Sequence, residues 1–196
     1  MNSHMRLYRM VIAALLCAIG IVIPMFSPVR LILEPASFTL ASHVAVFIAM
    51  FISPAVAVSV SLGTTLGFFL GGFPIVVVLR ALSQVIFVTI GALWLKRHPY
   101  TLLSVKSNLA FNFVMALIHA GFEVLVVIPF YFSNTMAKGY YAKGFVVAVI
   151  LLVGVGTIIH SSIDFYISWL LWKAVNRNRF TAELFTAKPK RPEATT

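Results

Sequence analysis

The chain has 196 residues, of which 61% are hydrophobic and only 10% are charged, with a mean hydropathy of +1.00. This composition lies far outside that of soluble globular domains and predicts a membrane protein. At about 20 residues per spanning helix, the length allows roughly six spans and excludes a large aqueous catalytic domain. The formal net charge of +10 is interpreted as a topology signal, and no nucleic-acid partner is expected.

The apolar run from Met10 to Phe26 predicts the first helix, after a cytoplasmic N-terminus over residues 1–9 in which residues 1–4 look like a tag remnant. The polar connection from Ser27 to Phe38 is predicted to be a loop. The stretch from Thr39 to Phe73 exceeds one span, because helical geometry would make it about 52 Å long against a hydrocarbon core of about 30 Å.

Pro54 is the predicted break in that stretch, because proline disfavours helical geometry at the residue before it. It leaves a short second helix and a third helix from Ala55 to Gly71. Three longer apolar runs predict the remaining helices, Ile75 to Leu95, Ser107 to Phe132 and Phe145 to Lys173.

The predicted architecture is an all-α bundle of six transmembrane helices over residues 10–173, followed by a basic tail, residues 174–196, that is expected to be disordered. With both termini cytoplasmic, eleven Lys and Arg residues lie inside and three lie outside. A five-helix arrangement with the N-terminus outside gives ten and four, and the length favours six. The predicted location is the cell membrane.

Polar side chains on the fifth helix fall on one stripe, which is expected to face the interior. Glu123 is the only acid on this helix. It is either a functional group or a structural partner for Arg80, and the sequence leaves both open. The other members of the stripe are Asn108, Asn112 and His119.

Arg80 lies within the membrane on the fourth helix, where a guanidinium needs a carboxylate, backbone carbonyls or an anionic ligand. Together with side chains near the same outer surface, it is expected to form an outward-facing polar cavity. The residues assigned to substrate binding are Ser37, His43, Arg80, Gln84, Glu123 and, at the outer rim, Asn134.

His160 and Asp164 lie one turn apart on the sixth helix. They are interpreted as a hydrogen-bonded pair that stabilises the bundle or, less favourably, as a metal or proton-relay fragment. One cysteine, Cys17, excludes an intrachain disulfide. No catalytic residues, metal ligands or cofactors are assigned, and an enzyme is not expected, since no nucleotide-binding or hydrolase motif is present.

Small residues recur on two helices. On the third helix Gly63, Gly67 and Gly71 share one face, which predicts close helix packing. On the first helix Ala14 and Ala18 form a similar face. Either face packs inside the bundle or docks a partner protein in the membrane.

The segments Ala14–Ala18, Pro35–His43, Phe47–Pro54 and Leu79–Ser83 resemble the substrate-binding S components of energy-coupling factor (ECF) vitamin transporters, most closely the niacin-type branch and next the pantothenate-type branch. The first of these looks like the AxxxA motif of that family. The resemblance implies six helices, both termini in the cytoplasm and a high-affinity vitamin receptor in the prokaryotic plasma membrane.

The resemblance further implies that Ala14 and Ala18 dock a transmembrane scaffold subunit, which carries two ATPase subunits. The receptor would then capture a small B vitamin near the outer face and release it by toppling in the lipid bilayer. Arg80 would be the main anchor for an anionic vitamin. Two rival hypotheses remain: an intramembrane enzyme, and a stand-alone secondary transporter or channel, each using the polar residues of the fifth and sixth helices.

Overall fold

The computed structural model describes residues 3–28, 30–33, 36–136, 138–176 and 179–189. The protein is predominantly helical, as predicted. Over this part of the chain, four helices are long and apolar enough to cross a membrane, and a shorter apolar helix, Pro54–Leu70, accompanies them. Six spans and cytoplasmic termini remain predictions. The four long helices are His4–Phe26, Ile75–Arg97, Val105–Phe132 and Val146–Val175.

The first connection differs from the predicted loop. After α1 (Ser3–Phe26), the strands β1 (Arg30–Leu33) and β2 (Ala36–Thr39) form a two-stranded antiparallel hairpin. The strands pair with each other, so their backbone polar groups are satisfied locally where the chain leaves the helices. The all-α class is confirmed, and this small hairpin is an addition to it.

The break at Pro54 is present as predicted. Helix α2 (Val44–Ile52) ends there and α3 (Pro54–Leu70) begins, with the Ser53 hydroxyl accepting a hydrogen bond from the Val56 N–H at 3.3 Å. Eight of the nine residues of α2 are buried. A helix that is apolar on every side belongs in the centre of a bundle, which is where α2 lies.

The second half of the chain forms α4 (Ile75–Arg97), α5 (Val105–Phe132) and a single turn, α6 (Gly139–Ala142). The last long helix begins as a π-helix (Val146–Val155) and continues as α7 (Gly156–Val175). Segments with π-helical hydrogen bonding are uncommon and frequently occur beside functional sites. Here the change to α-helical winding comes just before the polar residues of α7.

Helices α1 and α3 pack closely at glycine. A Cβ atom on Gly63 would lie 2.6 Å from the Cys17 sulfur, and one on Gly67 would collide with the side chain of Ile21. A Cβ on Gly71 would instead meet the Gly67 carbonyl at 3.1 Å, so this residue does not contribute to the contact with α1. The absence of side chains at Gly63 and Gly67 thus allows the close approach of the two helices.

Residues 179–189 of the tail, for which the sequence predicts disorder, include a short helix and contacts with the bundle. After α8 (Arg179–Leu184), the backbone N–H of Thr186 lies 3.0 Å from the carbonyl oxygens of both Phe51 and Ile52, and its hydroxyl donates to Ile52 at 2.7 Å. These carbonyls are available because the chain leaves α2 at Ser53 and proline has no N–H.

The two described ends of the chain meet at one end of the bundle. The Arg9 guanidinium on α1 donates to the Leu184 carbonyl at 2.9 Å, and Phe185 and Ala187 are buried beside it. This arrangement agrees with termini on the same side of the membrane, while the identity of that side remains a prediction.

Candidate functional site

A cavity of about 330 Å³ opens at the opposite end of the bundle, where α1 finishes and α4 begins. Seven apolar side chains form part of its wall, Pro24, Phe38, Phe68, Phe73, Pro74, Val77 and Ala81. Nine polar residues complete the lining, Thr39, Ser42, His43, Thr64, Arg80, Gln84, Glu123, Thr157 and His160. A mainly preformed hollow with a few convergent polar groups is typical of a small-molecule site.

Arg80 and Glu123 form an ion pair on this wall, with Nη2 2.8 Å from Oε2. The Thr157 hydroxyl donates to the same carboxylate oxygen at 2.6 Å. The pair matches the structural role that the sequence left open for Glu123. The Nε of Arg80, however, is buried and has no hydrogen-bond partner among the described residues, so one donor of the guanidinium is still unsatisfied.

Asp164 lies directly behind the cavity and is fully buried. Its two oxygens accept the backbone N–H groups of Ala41 at 2.8 Å and His43 at 2.9 Å, and Oδ2 lies 3.2 Å from the His43 Nδ1. This carboxylate fixes the backbone that leads into α2. The Ser42 hydroxyl on the same segment lies 3.0 Å from the His160 Nε2.

His119 lies beneath the cavity between the two carboxylates. Its ring stacks on Phe87 at a centroid distance of 4.3 Å and meets His43 edge-on at 4.9 Å. Its Nδ1 is 3.1 Å from the Ser161 hydroxyl, while its Nε2 is 3.5 Å from the Glu123 Oε1. Three imidazoles and two carboxylates therefore form one contiguous cluster under the polar wall.

The structure brings together four of the six predicted substrate contacts, His43, Arg80, Gln84 and Glu123, all of which line the cavity. The side chain of Ser37 lies outside the described residues. Asn134 is exposed in the turn after α5, with a φ of 57°, and does not line the cavity.

Thr39, Thr64 and Thr157 line the cavity but are not predicted from the sequence. Thr157, His160, Ser161 and Asp164 recur at offsets of three, four and seven, a helical stripe that could have identified Thr157. Phe38 packs so closely on Gly156 that a Cβ there would lie 2.5 Å from its ring. No pattern distinguished this phenylalanine from the other sixteen in the chain.

Ala14 and Ala18 are exposed on α1. The contact with α3 uses Cys17, Gly20 and Ile21 instead. The small-residue face of the first helix is thus outside the bundle over the described part of the chain.

Comparison with protein-family models and with solved structures gives no match. Among curated proteins, the chain is similar to the niacin transporter NiaX of Lactococcus lactis subsp. cremoris (strain MG1363). The two are 40% identical over 178 residues, which cover 90% of this chain and 78% of that relative. The likeness confirms the predicted resemblance to the niacin-type branch and, with the apolar helices, a multi-pass protein of the cell membrane. The chain therefore belongs to the family of the niacin transporter NiaX.

Proposed function

We propose that this protein is the vitamin-binding S component of an ECF-type importer and that the cavity beside Arg80 holds niacin in its carboxylate form. The observation that carries the substrate assignment is the buried Nε of Arg80, which has no acceptor among the described side chains and backbone groups. A carboxylate oxygen would satisfy this donor with a charge-assisted hydrogen bond. The niacin transporter relative supports the same substrate class.

The size and wall of the cavity suit a single aromatic ring. A volume of about 330 Å³ lies at the small end of the range for small-molecule sites, about 300–1,000 Å³. Phe68 and Phe73 stack on each other at 4.6 Å and present an aromatic surface to the cavity. The buried hydroxyl of Thr64, also without a partner in the described structure, supplies a second polar contact.

Ala14 and Ala18 are proposed as the contact with the transmembrane scaffold subunit. Helix α1 is the least enclosed of the four long apolar helices. In its most apolar 18-residue segment 11% is buried, against 33–44% in the other three helices. Small exposed residues permit close helix contact in lipid, where apolar side chains gain nothing by leaving water. Two ATPases on the scaffold would drive toppling of the receptor, so that ATP is hydrolysed outside this chain.

Ligand-dependent thermal unfolding of the purified protein tests the substrate assignment. Nicotinate should stabilise the fold, by about 2.7 kcal/mol at a concentration one hundred times Kd, and pantothenate should not. Nicotinamide should bind at least tenfold more weakly than nicotinate, because it lacks the charge that Arg80 would contact. Equal affinity for the acid and the amide would discard the anion anchor, and no response to any of the three would overturn the vitamin assignment.

Reconstitution separates the receptor from a stand-alone carrier. The protein alone in liposomes should bind nicotinate without moving it across the bilayer, and uptake should require ATP and the partner subunits. Ion-driven nicotinate flux with this chain alone would overturn the S-component assignment while leaving the binding site in place.

A further inference from the structure

The charges around the cavity do not favour an anionic vitamin by themselves. Among the described residues that line or directly support it, Arg80 is the one cation, whereas Glu123 and Asp164 are two carboxylates. The formal charges of these three groups sum to one net negative charge, and a nicotinate anion adds a second. Charges of one sign repel each other, so a second positive partner beside Arg80 would strengthen the binding of an anion.

Three residues beneath the cavity could bind a cation. His43, His119 and Glu123 each present one ligand atom, and these atoms lie within 4.8 Å of one another. The His119 Nε2 and the Glu123 Oε1 are 3.5 Å apart, too far for a good hydrogen bond. Two ligands of a tetrahedral zinc ion, each bound at about 2.0–2.1 Å, lie about 3.3 Å from each other.

The surrounding hydrogen bonds occupy the other polar atoms of these three residues. The Nδ1 of His119 is taken by Ser161, which leaves a buried Nε2 that has no hydrogen-bond partner in the described part of the chain. The Nδ1 of His43 is taken by Asp164 at 3.2 Å, which leaves its Nε2. Arg80 and Thr157 hold the second carboxylate oxygen of Glu123, at distances of 2.8 and 2.6 Å.

Histidine ligands of metals characteristically bond their second ring nitrogen to a carboxylate or another polar group, which fixes the tautomer and the ring orientation. Both histidines have that arrangement, from Asp164 and Ser161 on α7. We propose that His43, His119 and Glu123 bind a divalent transition-metal ion of the zinc class, with its remaining coordination position open to the cavity.

This ion would bring the site to one net positive charge, which a nicotinate anion neutralises. The open position accepts a pyridine nitrogen or a carboxylate oxygen, both of which zinc-class ions bind. The binding of nicotinate to the ion rests on the proposed function, whereas the metal site itself rests on the geometry of the three residues.

The test measures metal binding without any vitamin. Purified full-length protein is treated with chelator, equilibrated with Zn²⁺ or Co²⁺, passed through gel filtration and assayed for metal by mass spectrometry. Wild type should retain one ion per chain, and the Co²⁺ form should show the visible absorption of a tetrahedral site. His119→Gln should lose the ion, and Ser161→Ala should bind it about tenfold more weakly.

Two variants serve as controls. His98→Gln changes an exposed histidine at the other end of α4 and should keep the ion. His160, His43 and Asp164 form a second group whose ligand atoms lie within 4.8 Å of one another, and His160→Gln distinguishes the two groups because it should also keep the ion. Retention by His119→Gln, loss in His160→Gln, or no ion in wild type would overturn the assignment. X-ray absorption of the zinc-loaded wild type gives a reading independent of any variant, where two imidazoles are expected and one would contradict the site.

The two proposals fail separately. Nicotinate binding by metal-free protein that also binds no metal would overturn the metal site and leave the receptor. Retention of one ion with no response to nicotinate would leave the metal site and overturn the vitamin assignment.

Discussion

At the scale of single residues, Arg80 combines two functions that substitutions can separate. Its Nη2 neutralises Glu123 and its Nε is proposed to contact the vitamin. Arg80→Ala should weaken nicotinate binding more than tenfold, since a charge-assisted contact contributes about 1.5–3 kcal/mol. Arg80→Lys keeps a cation for Glu123 but removes the Nε donor, and about tenfold weaker binding is expected in titration calorimetry.

The ratio of the affinities for nicotinate and nicotinamide shows why the Arg80 variants bind nicotinate more weakly. Both Arg80 variants should reduce the preference for the acid, while Gln84→Ala, a neutral change in the same wall, should weaken both ligands and preserve the preference. A lysine variant that binds nicotinate as tightly as wild type would show that Arg80 only balances Glu123.

The sequence identifies charged residues of this site better than neutral ones. Arg80 and Glu123 stand out because an ionisable group in an apolar helix is costly and needs a partner, and the structure pairs them. Thr157 carries no such signal on its own. Asn134 has the right polarity at the right end of a helix, but a left-handed turn leaves it exposed, and turn geometry depends on contacts that polarity does not report.

At the scale of helices, the exposed small face of α1 allows a test of docking. Ala14→Trp or Ala18→Trp should abolish vitamin uptake by the complete importer while leaving nicotinate affinity unchanged, because the bulky ring blocks close helix contact and is still compatible with lipid. Uptake of labelled nicotinate in cells, together with calorimetry on the purified variants, measures both properties.

Leu117→Trp, an exposed position on α5, is the matched control and should retain uptake. Uptake that persists in both alanine variants would place the scaffold contact elsewhere. Loss of uptake in the control as well would attribute the effect to bulk in the membrane rather than to docking.

Apolar runs and proline predict most of the elements, whereas weakly patterned elements escape prediction. The break at Pro54 follows from local stereochemistry, and α2 and α3 divide there. The hairpin consists of two four-residue strands, too short for a clear alternation. The π-helix Val146–Val155 lies in a uniformly apolar segment, where composition does not distinguish one helical winding from another.

At the scale of the whole molecule, the tail is predicted to stabilise the bundle. Thr186→Val removes the hydroxyl that donates to the Ile52 carbonyl while keeping the shape of the side chain, so a loss of about 1 kcal/mol is expected in the free energy of unfolding. Denaturant unfolding in micelles, followed by tryptophan fluorescence, measures this change.

Ser104→Ala provides the comparison, because Ser104 is exposed and its side chain does not cap α5. This variant should unfold as wild type does. Equal stability of wild type, Thr186→Val and Ser104→Ala would show that the Thr186 hydroxyl contacts α2 without stabilising the fold.

The sequence predicts a disordered tail because the segment is charged and contains proline. The composition describes the tail alone and does not report the carbonyl groups elsewhere in the chain that accept its hydrogen bonds. The carbonyls of Phe51 and Ile52 become available only once α2 has stopped at Ser53 and packed in the centre, so the ordering of Thr186 depends on a partner far away in the chain.

The short helix α2 connects two distant parts of the protein. One rigid rod, about 13 Å long, carries His43 at its upper end and the hydrogen bonds to Thr186 at its lower end. We expect a ligand that displaces His43 to disturb the hydrogen bonds at the other end of this helix. Amide hydrogen exchange at Thr186 and Ala187 would therefore register occupancy from the far side of the molecule.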